Sequence, residues 1–311
     1  MDNAATGRIA AIGTWDGVHP GHRFVLSSLA DAGHRMNLEP VAVTFSTHPL
    51  SVVAPERAPK NLSSLPDRIA MLRDAGAKDV IVLDFDNSLR AMTAAEFLRM
   101  LRDRYNIHAV MLGFNNSFGS DRLKGVDAYR AVAPEGMKIL QMPEYEGNSG
   151  KVSSSLIRRL ISAGDVAEAA CRLGRLYCVK GRVVGGRRLG RTIGFPTANL
   201  AVDPRRLLPA AGVYAADAIL SNGLKFRAVV NIGYRPTVDR SRRPRMTVEA
   251  HLLGFSGDLY SSTLTLEFIG HLRREERFPS VDALKAAINR DAEMARAMVP
   301  PFDSVCHSSQ N

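Results

Sequence analysis

Two glycine-rich strings and one carboxylate hold the residues best suited to chemistry. The first string, Gly13 to His22, follows a short apolar run (Ile9 to Ile12) and sets His19 and His22 three residues apart, with Asp16 inside the turn. Gly13 and Gly17 allow a sharp turn and a close backbone approach to a ligand. A helix beginning near Gly21 would offer unpaired amides and a positive dipole end to phosphate. Two imidazoles there can hydrogen-bond a triphosphate and hold the charge that grows on its α-phosphate during transfer. A His-x-x-His pair by itself more often caps a helix or decorates a surface; its place between first strand and first helix favours phosphate.

The second string runs from Gly181 to Asn199, with further glycines at Gly185, Gly186, Gly190 and Gly194. Its backbone amides can wrap phosphate, and Arg187, Arg188 and Arg191 add positive charge. Pro196 fixes the backbone just before Thr197. Thr197 and Asn199 offer a hydroxyl and a carbonyl oxygen, both hard ligands suited to magnesium. A plain glycine-rich hairpin on a basic surface would explain a fragment of this string better than the whole. Glu249 lies in an alternating run in which Val248, Ala250 and Leu252 point one way and Thr247, Glu249 and His251 the other. By pattern alone it would be a surface cross-strand partner, the usual fate of a glutamate in a strand.

The elements that must position these residues change character along the chain. Apolar runs at Ile9 to Ile12, Val41 to Phe45, Asp79 to Phe85, Ala109 to Phe114 and Met137 to Met142 suit strands buried on both faces of a parallel sheet. Helical patterns lie between them, one opened by a capping box of Thr93 and Glu96. Ser153 to Ala163 reads as a helix, and Asp165 starts another that ends near Leu173. From Tyr177 onward short strand-like runs dominate, clearest at Val213 to Leu220, Phe226 to Ile232, Thr247 to Leu253 and Thr263 to Ile269. They predict a small antiparallel barrel or sandwich. A last helix from about Ser280, with Val281, Leu284 and Ile288 on one face, stops before Pro300 and Pro301. The expected division is 1–173, 174–299 and a polar tail, 300–311.

Composition bounds the rest. The chain of 311 residues is 45% hydrophobic and 23% charged, which permits two ordinary folded domains. A net charge of +10 suits nucleic acid, an anionic membrane or polyphosphate substrates, and equally a surface kept soluble, so charge alone chooses none. Cys171, Cys178 and Cys306 are odd in number and fit no zinc spacing. No signal peptide or membrane-spanning run is visible, so a cytoplasmic protein is expected.

The HxGH core of the first string resembles the nucleotidyltransferase signature. The longer string is similar to the FAD synthetase module of bacterial bifunctional riboflavin kinase/FMN adenylyltransferases. Thr44 to Pro49 (ending in His48 and Pro49), Gly113 to Gly119 (holding Asn115) and Val152 to Arg158 (holding Ser154 and Ser155) resemble further segments of that module, in order. Gly181 to Asn199, with Pro196 to Asn199 reading PTAN, closely resembles the riboflavin kinase family; so do Val230 to Thr237 and Thr247 to Tyr260. The resemblance implies a Rossmann-like α/β domain with a parallel sheet and helices on both faces, then a small antiparallel β-barrel with a terminal helix. It implies riboflavin, FMN and ATP with Mg2+ as small-molecule substrates, and FMN and FAD as products. Glu249 would be the kinase base, and Thr197 and Asn199 would organise magnesium and ATP. His19, His22 and Arg158 would serve adenylyl transfer, and Gly13, Asp16, Gly17, His48, Pro49, Asn115, Ser154, Ser155, Gly185, Gly190, Arg191, Gly194 and Pro196 would shape the two nucleotide sites.

This chain departs from the pattern at Trp15 (usually Phe), Ser46 and Thr47 (Glu-Pro), Asn116 and Ser117 (Phe-Arg), Gly254 (Asp) and Ser261 (Gly). Ser46, Thr47, Asn116 and Ser117 keep open a kinase joined to an impaired adenylyltransferase. A flavin sensor that binds nucleic acid would be expected to carry a reader such as a helix-turn-helix, and no convincing one is found. A different HxGH transferase is disfavoured by the PTAN string and Glu249. The sequence leaves the oligomeric state open.

Overall fold

The computed structural model describes residues 7–113, 117–143, 152–186, 189–234 and 246–302. The chain divides into two compact units, Met1–Ser153 and Ser154–Asn311.

The first unit alternates strands and helices: β1 (Arg8–Ile12), α1 (Pro20–Met36), β2 (Glu39–Phe45), α2 (Leu50–Val53), α3 (Leu65–Asp74), β3 (Asp79–Leu83), α4 (Asn87–Ala91), α5 (Ala94–Tyr105), β4 (Ile107–Leu112), α6 (Val126–Val132) and β5 (Lys138–Gln141). The strands form one parallel sheet in the order β3-β2-β1-β4-β5. The two-residue alternation of β1 explains why both faces must be covered. Ile9 and Ala11 pack with Leu26 and Leu29 of α1 and Leu72 of α3, whereas Ala10 and Ile12 pack with Phe97, Leu98 and Leu101 of α5 and Tyr129 of α6. Thr93 and Glu96 form the expected capping box at the start of α5. The order reverses between β1 and β4, and ligands of open parallel sheets bind beyond the carboxyl ends of strands at such a switch point. The Gly13 to His22 turn leaves β1 there.

The second unit holds α7 (Ser154–Ala163), α8 (Val166–Leu173), β6 (Tyr177–Val184), α9 (Leu189–Thr192), β7 (Ala198–Val202), β8 (Gly212–Leu220), β9 (Lys225–Tyr234), β10 (Met246–Leu252), β11 (Thr263–Arg273) and α10 (Val281–Ala297). Its strands close a barrel in the order β10-β7-β6-β11-β8-β9, with β9 paired back to β10. Every pairing is antiparallel, so of the two all-β options the barrel is the one formed.

The terminal helix packs differently from its expected face. Val281 is 54% exposed, and α10 is buried through Ala287, Asp291, Ala292 and Ala295. Small residues let the helix lie close on β8 and β9, where a Val281–Leu284–Ile288 stripe would hold it off. Arg273 locks it there with a bidentate ion pair to Asp291, Nε to Oδ1 at 3.0 Å and Nη2 to Oδ2 at 2.9 Å. At the other end Arg227 donates to the carbonyls of Ala295 and Met298, both at 2.6 Å, satisfying acceptors that a helix terminus leaves open.

Candidate functional site

In the first unit the turn after β1 is bent against local preference and held by distant groups. Gly17 has φ 83°, but Trp15 (51°) and Val18 (35°) also occupy positive φ, costly for residues with a Cβ and most of all for a branched one. Trp15 Nε1 donates to the carbonyl of Val43 at 2.9 Å, and the amide of Gly13 donates to the same oxygen at 3.0 Å. Asp16, 1% exposed, accepts from the amides of Leu62 (2.8 Å) and Ser63 (3.0 Å) and from the Ser63 hydroxyl (3.0 Å). The amide of Gly17 donates to that hydroxyl at 3.2 Å. Buried Arg68 then ties the turn to the end of β2, donating to the carbonyls of Thr14 and Phe45, both at 2.7 Å. Burial draws the Arg68 pKa below its ordinary value, with Asp16 opposing that shift.

The clamp delivers two imidazoles side by side. His19 caps α1 with extended backbone, Pro20 takes the first helical position, and the first turn carries no acidic residue. The rings of His19 and His22 stack at 3.7 Å with planes 19° apart, and Trp15 meets His22 edge-on at 5.2 Å. His48 and Pro49 follow the end of β2, where His48 Nδ1 accepts from the amide of Leu50 at 3.1 Å. At the altered position 46, Ser46 donates to Asp84 at 2.6 Å. Asn115 and Asn116 lie outside the described residues; nearby Phe118 is a packing residue against Phe97 and Tyr129. Ser154, Ser155 and Arg158 lie on α7, in the second compact unit.

The clamp predicts a stability effect. Asp16→Ala strands two buried amides, so it should lower the stability of the N-terminal unit by about 1–3 kcal/mol. Denaturant unfolding followed by fluorescence of Trp15, the single tryptophan of the chain, measures it.

In the second unit the ladder itself assembles the site. Glu249 on β10 lies opposite Asn199 of β7 on one side and Asn231 of β9 on the other. Directly opposed residues share a face, with Cβ atoms about 4.5–5.5 Å apart. Val248, Ala250 and Leu252 are buried while Thr247, Glu249 and His251 are half-buried, as the alternation predicted. Among the described residues the Glu249 carboxylate forms no ion pair, and both cross-strand neighbours are neutral amides.

Glu249, Thr197, His251 and Asn231 line a cavity of about 310 Å³ outside the barrel wall, closed by Phe195, Phe278, Leu284 and Ile288. Two glycines are fixed by close approach. A Cβ on Gly186 would lie 2.3 Å from Asn199 Nδ2, and one on Gly190 would lie 2.2 Å from the carbonyl oxygen of Phe195. Asn199 is only 8% exposed beneath that loop. Gly185 approaches the Tyr260 ring, and Gly194 adopts φ 89°. Arg187, Arg188 and the side chain of Arg191 lie outside the described residues. Hydroxyl and amide oxygens from Thr197 and Asn199 are hard donors that fit magnesium, and glycine at 186 lets the loop lie directly against the Asn199 side chain, where a Cβ would collide.

Several positioning contacts had no sequence signal. Asp16 and Arg68 act across 46 to 54 residues. Asp291 interrupts an apolar helix face, a break that could have pointed to a buried partner. Asn231 hydrogen-bonds Glu275 at 3.1 Å, and only the register reveals its place beside Glu249.

Comparison with known proteins agrees with this geometry. Residues 1–156 match the FAD synthetase family and residues 173–299 the riboflavin kinase family. A relative from Pseudomonas fluorescens, named bifunctional riboflavin kinase/FMN adenylyltransferase, is 37% identical over 297 residues, covering 95% of this chain and 94% of its own. A relative of the same name from Bacillus subtilis (strain 168) is 31% identical over 289 residues, covering 92% and 91%. A crystal structure described as a macrolide-efflux protein from Streptococcus pneumoniae aligns with a TM-score of 0.85 at 29% identity, covering 96% of both chains. Among the described residues no helix of this chain is long and apolar enough to cross a membrane. On two family matches that together span nearly all of its length, the chain belongs to the bifunctional riboflavin kinase/FMN adenylyltransferase family.

Proposed function

We propose that this chain makes both flavin cofactors, phosphorylating riboflavin with ATP to FMN and adenylylating FMN with a second ATP to FAD and pyrophosphate. The kinase reaction is assigned to 174–299 and adenylyl transfer to 1–173. The observation that carries the reading is the cross-strand row Asn199–Glu249–Asn231, of which Glu249 and Asn231 line a cavity together with Thr197.

In the kinase step Glu249 accepts the proton of the riboflavin 5′-hydroxyl as its oxygen attacks the γ-phosphorus of ATP, and ADP leaves. Thr197 and Asn199 would hold the Mg2+ that enters with ATP, which supplies charge neutralisation on the phosphoryl oxygens. The amides of the Gly185 to Gly194 loop bind the same oxygens. In the second step an FMN phosphate oxygen attacks the α-phosphorus and pyrophosphate leaves. FMN is already anionic, so no general base is needed. His19 and His22 orient the triphosphate and neutralise it, and the start of α1 adds its dipole. The free thiols Cys171 and Cys178 suit a reducing cytoplasm.

A riboflavin time course with Mg·ATP, flavins separated by chromatography, tests this directly. FMN should rise first and FAD with pyrophosphate should follow. FMN without FAD would reduce the protein to a kinase; neither product would overturn the reading.

A further inference from the structure

We infer that His251 is a positioning residue of the kinase reaction, a latch that sets the Pro196–Asn199 arm against the strand carrying Glu249. The inference rests on the kinase reading above.

The arm has few fixed points of its own. Upstream it closes on itself, with the amides of Ile193 and Phe195 donating to the carbonyl of Gly190 at 3.3 Å and 2.8 Å. Pro196 has no N–H to give, and the sheet takes hold of the chain only from Ala198. Between these points Pro196 offers its carbonyl, and His251 Nδ1 meets it at 2.8 Å. A carbonyl only accepts, so Nδ1 carries the proton and is the donor. The Phe195 ring stands against the imidazole at 5.6 Å with planes 77° apart, which fixes the ring's tilt.

Position along the strand turns this contact into a functional one. His251 lies two residues beyond Glu249, so both project from the same face of β10. One strand thereby fixes the base directly and the arm bearing Thr197 through the histidine. The separation between carboxylate and hydroxyl is then set by strand geometry rather than by a loop of glycines.

The test compares full-length wild type with His251→Asn, His251→Gln and His251→Ala. An asparagine places an amide N–H near the Nδ1 position; glutamine carries its amide one bond further, towards Nε2, and alanine has no donor. Two readouts are taken: amide exchange of the 190–199 segment without substrates, and steady-state FMN formation over a range of Mg·ATP. Alanine and glutamine should speed exchange in that segment and raise KM for Mg·ATP, each about tenfold, the scale of one lost neutral hydrogen bond. Asparagine should stay within about twofold of wild type on both. FAD formation from FMN confirms that each variant is folded. Unchanged exchange in the alanine variant, or an asparagine variant no better than alanine, would overturn the latch. A wild type that makes no FMN overturns the kinase reading itself, and wild-type turnover tells that failure apart from the latch's.

Discussion

Glu249→Gln is expected to slow riboflavin phosphorylation by about 10²–10⁴-fold, the range a positioned general base contributes, while FMN adenylylation stays near its wild-type rate. The change keeps shape and removes only the basic oxygen. Its cross-strand neighbours, Asn199 and Asn231, are amides that can hydrogen-bond a glutamine side chain as readily as a glutamate. The ladder should therefore survive, and a loss in rate reports chemistry rather than folding. FMN formation from riboflavin and Mg·ATP, set against FAD formation from added FMN in the same preparation, gives the two rates. Phosphorylation within a few-fold of wild type would remove the base role from Glu249.

The converse variant, His22→Ala, should lower FAD and pyrophosphate formation by about 10²–10³-fold, as removal of one preorganised charge-stabilising group does, and leave FMN formation intact. His22 stacks on His19 and takes the edge of Trp15, so its removal also takes away that ring packing. A milder His22→Gln loss would indicate that hydrogen bonding matters more than ring stacking. If either variant lost both activities while Trp15 fluorescence and the unfolding midpoint stayed unchanged, the two sites could not be independent.

The sheet was readable because its strands are short, mostly apolar and separated by helical patterns, a combination that leaves few alternatives. The capping box at Thr93 and the start of α10 at Ser280 were readable because their chemistry is local. β6 and β7 were harder to single out: Gly181 lies within the first, and the second opens just after Pro196 and carries Asn199 at a covered position. Chemistry-bearing residues were found as types, whereas what holds them was not. Asp16 was visible as a turn residue, yet its partners Leu62 and Ser63 lie too far along the chain for any pattern to connect. The apolar residues of α10 were recognised, but their destination was not: Leu284 and Ile288 wall the cavity, and the helix seats itself through alanines and a buried ion pair.

The pleat of β10 has a consequence for how this protein can change. Sliding that strand by one position would turn the acid into the oily centre of the cylinder and present Val248 to the substrate instead. Neighbours bonded along both sides resist such slippage, so lost or gained residues are tolerable between 234 and 246 but not between Met246 and Glu249. Lineages derived from this chain should vary the number of residues between 234 and 246 while preserving the parity of the strand.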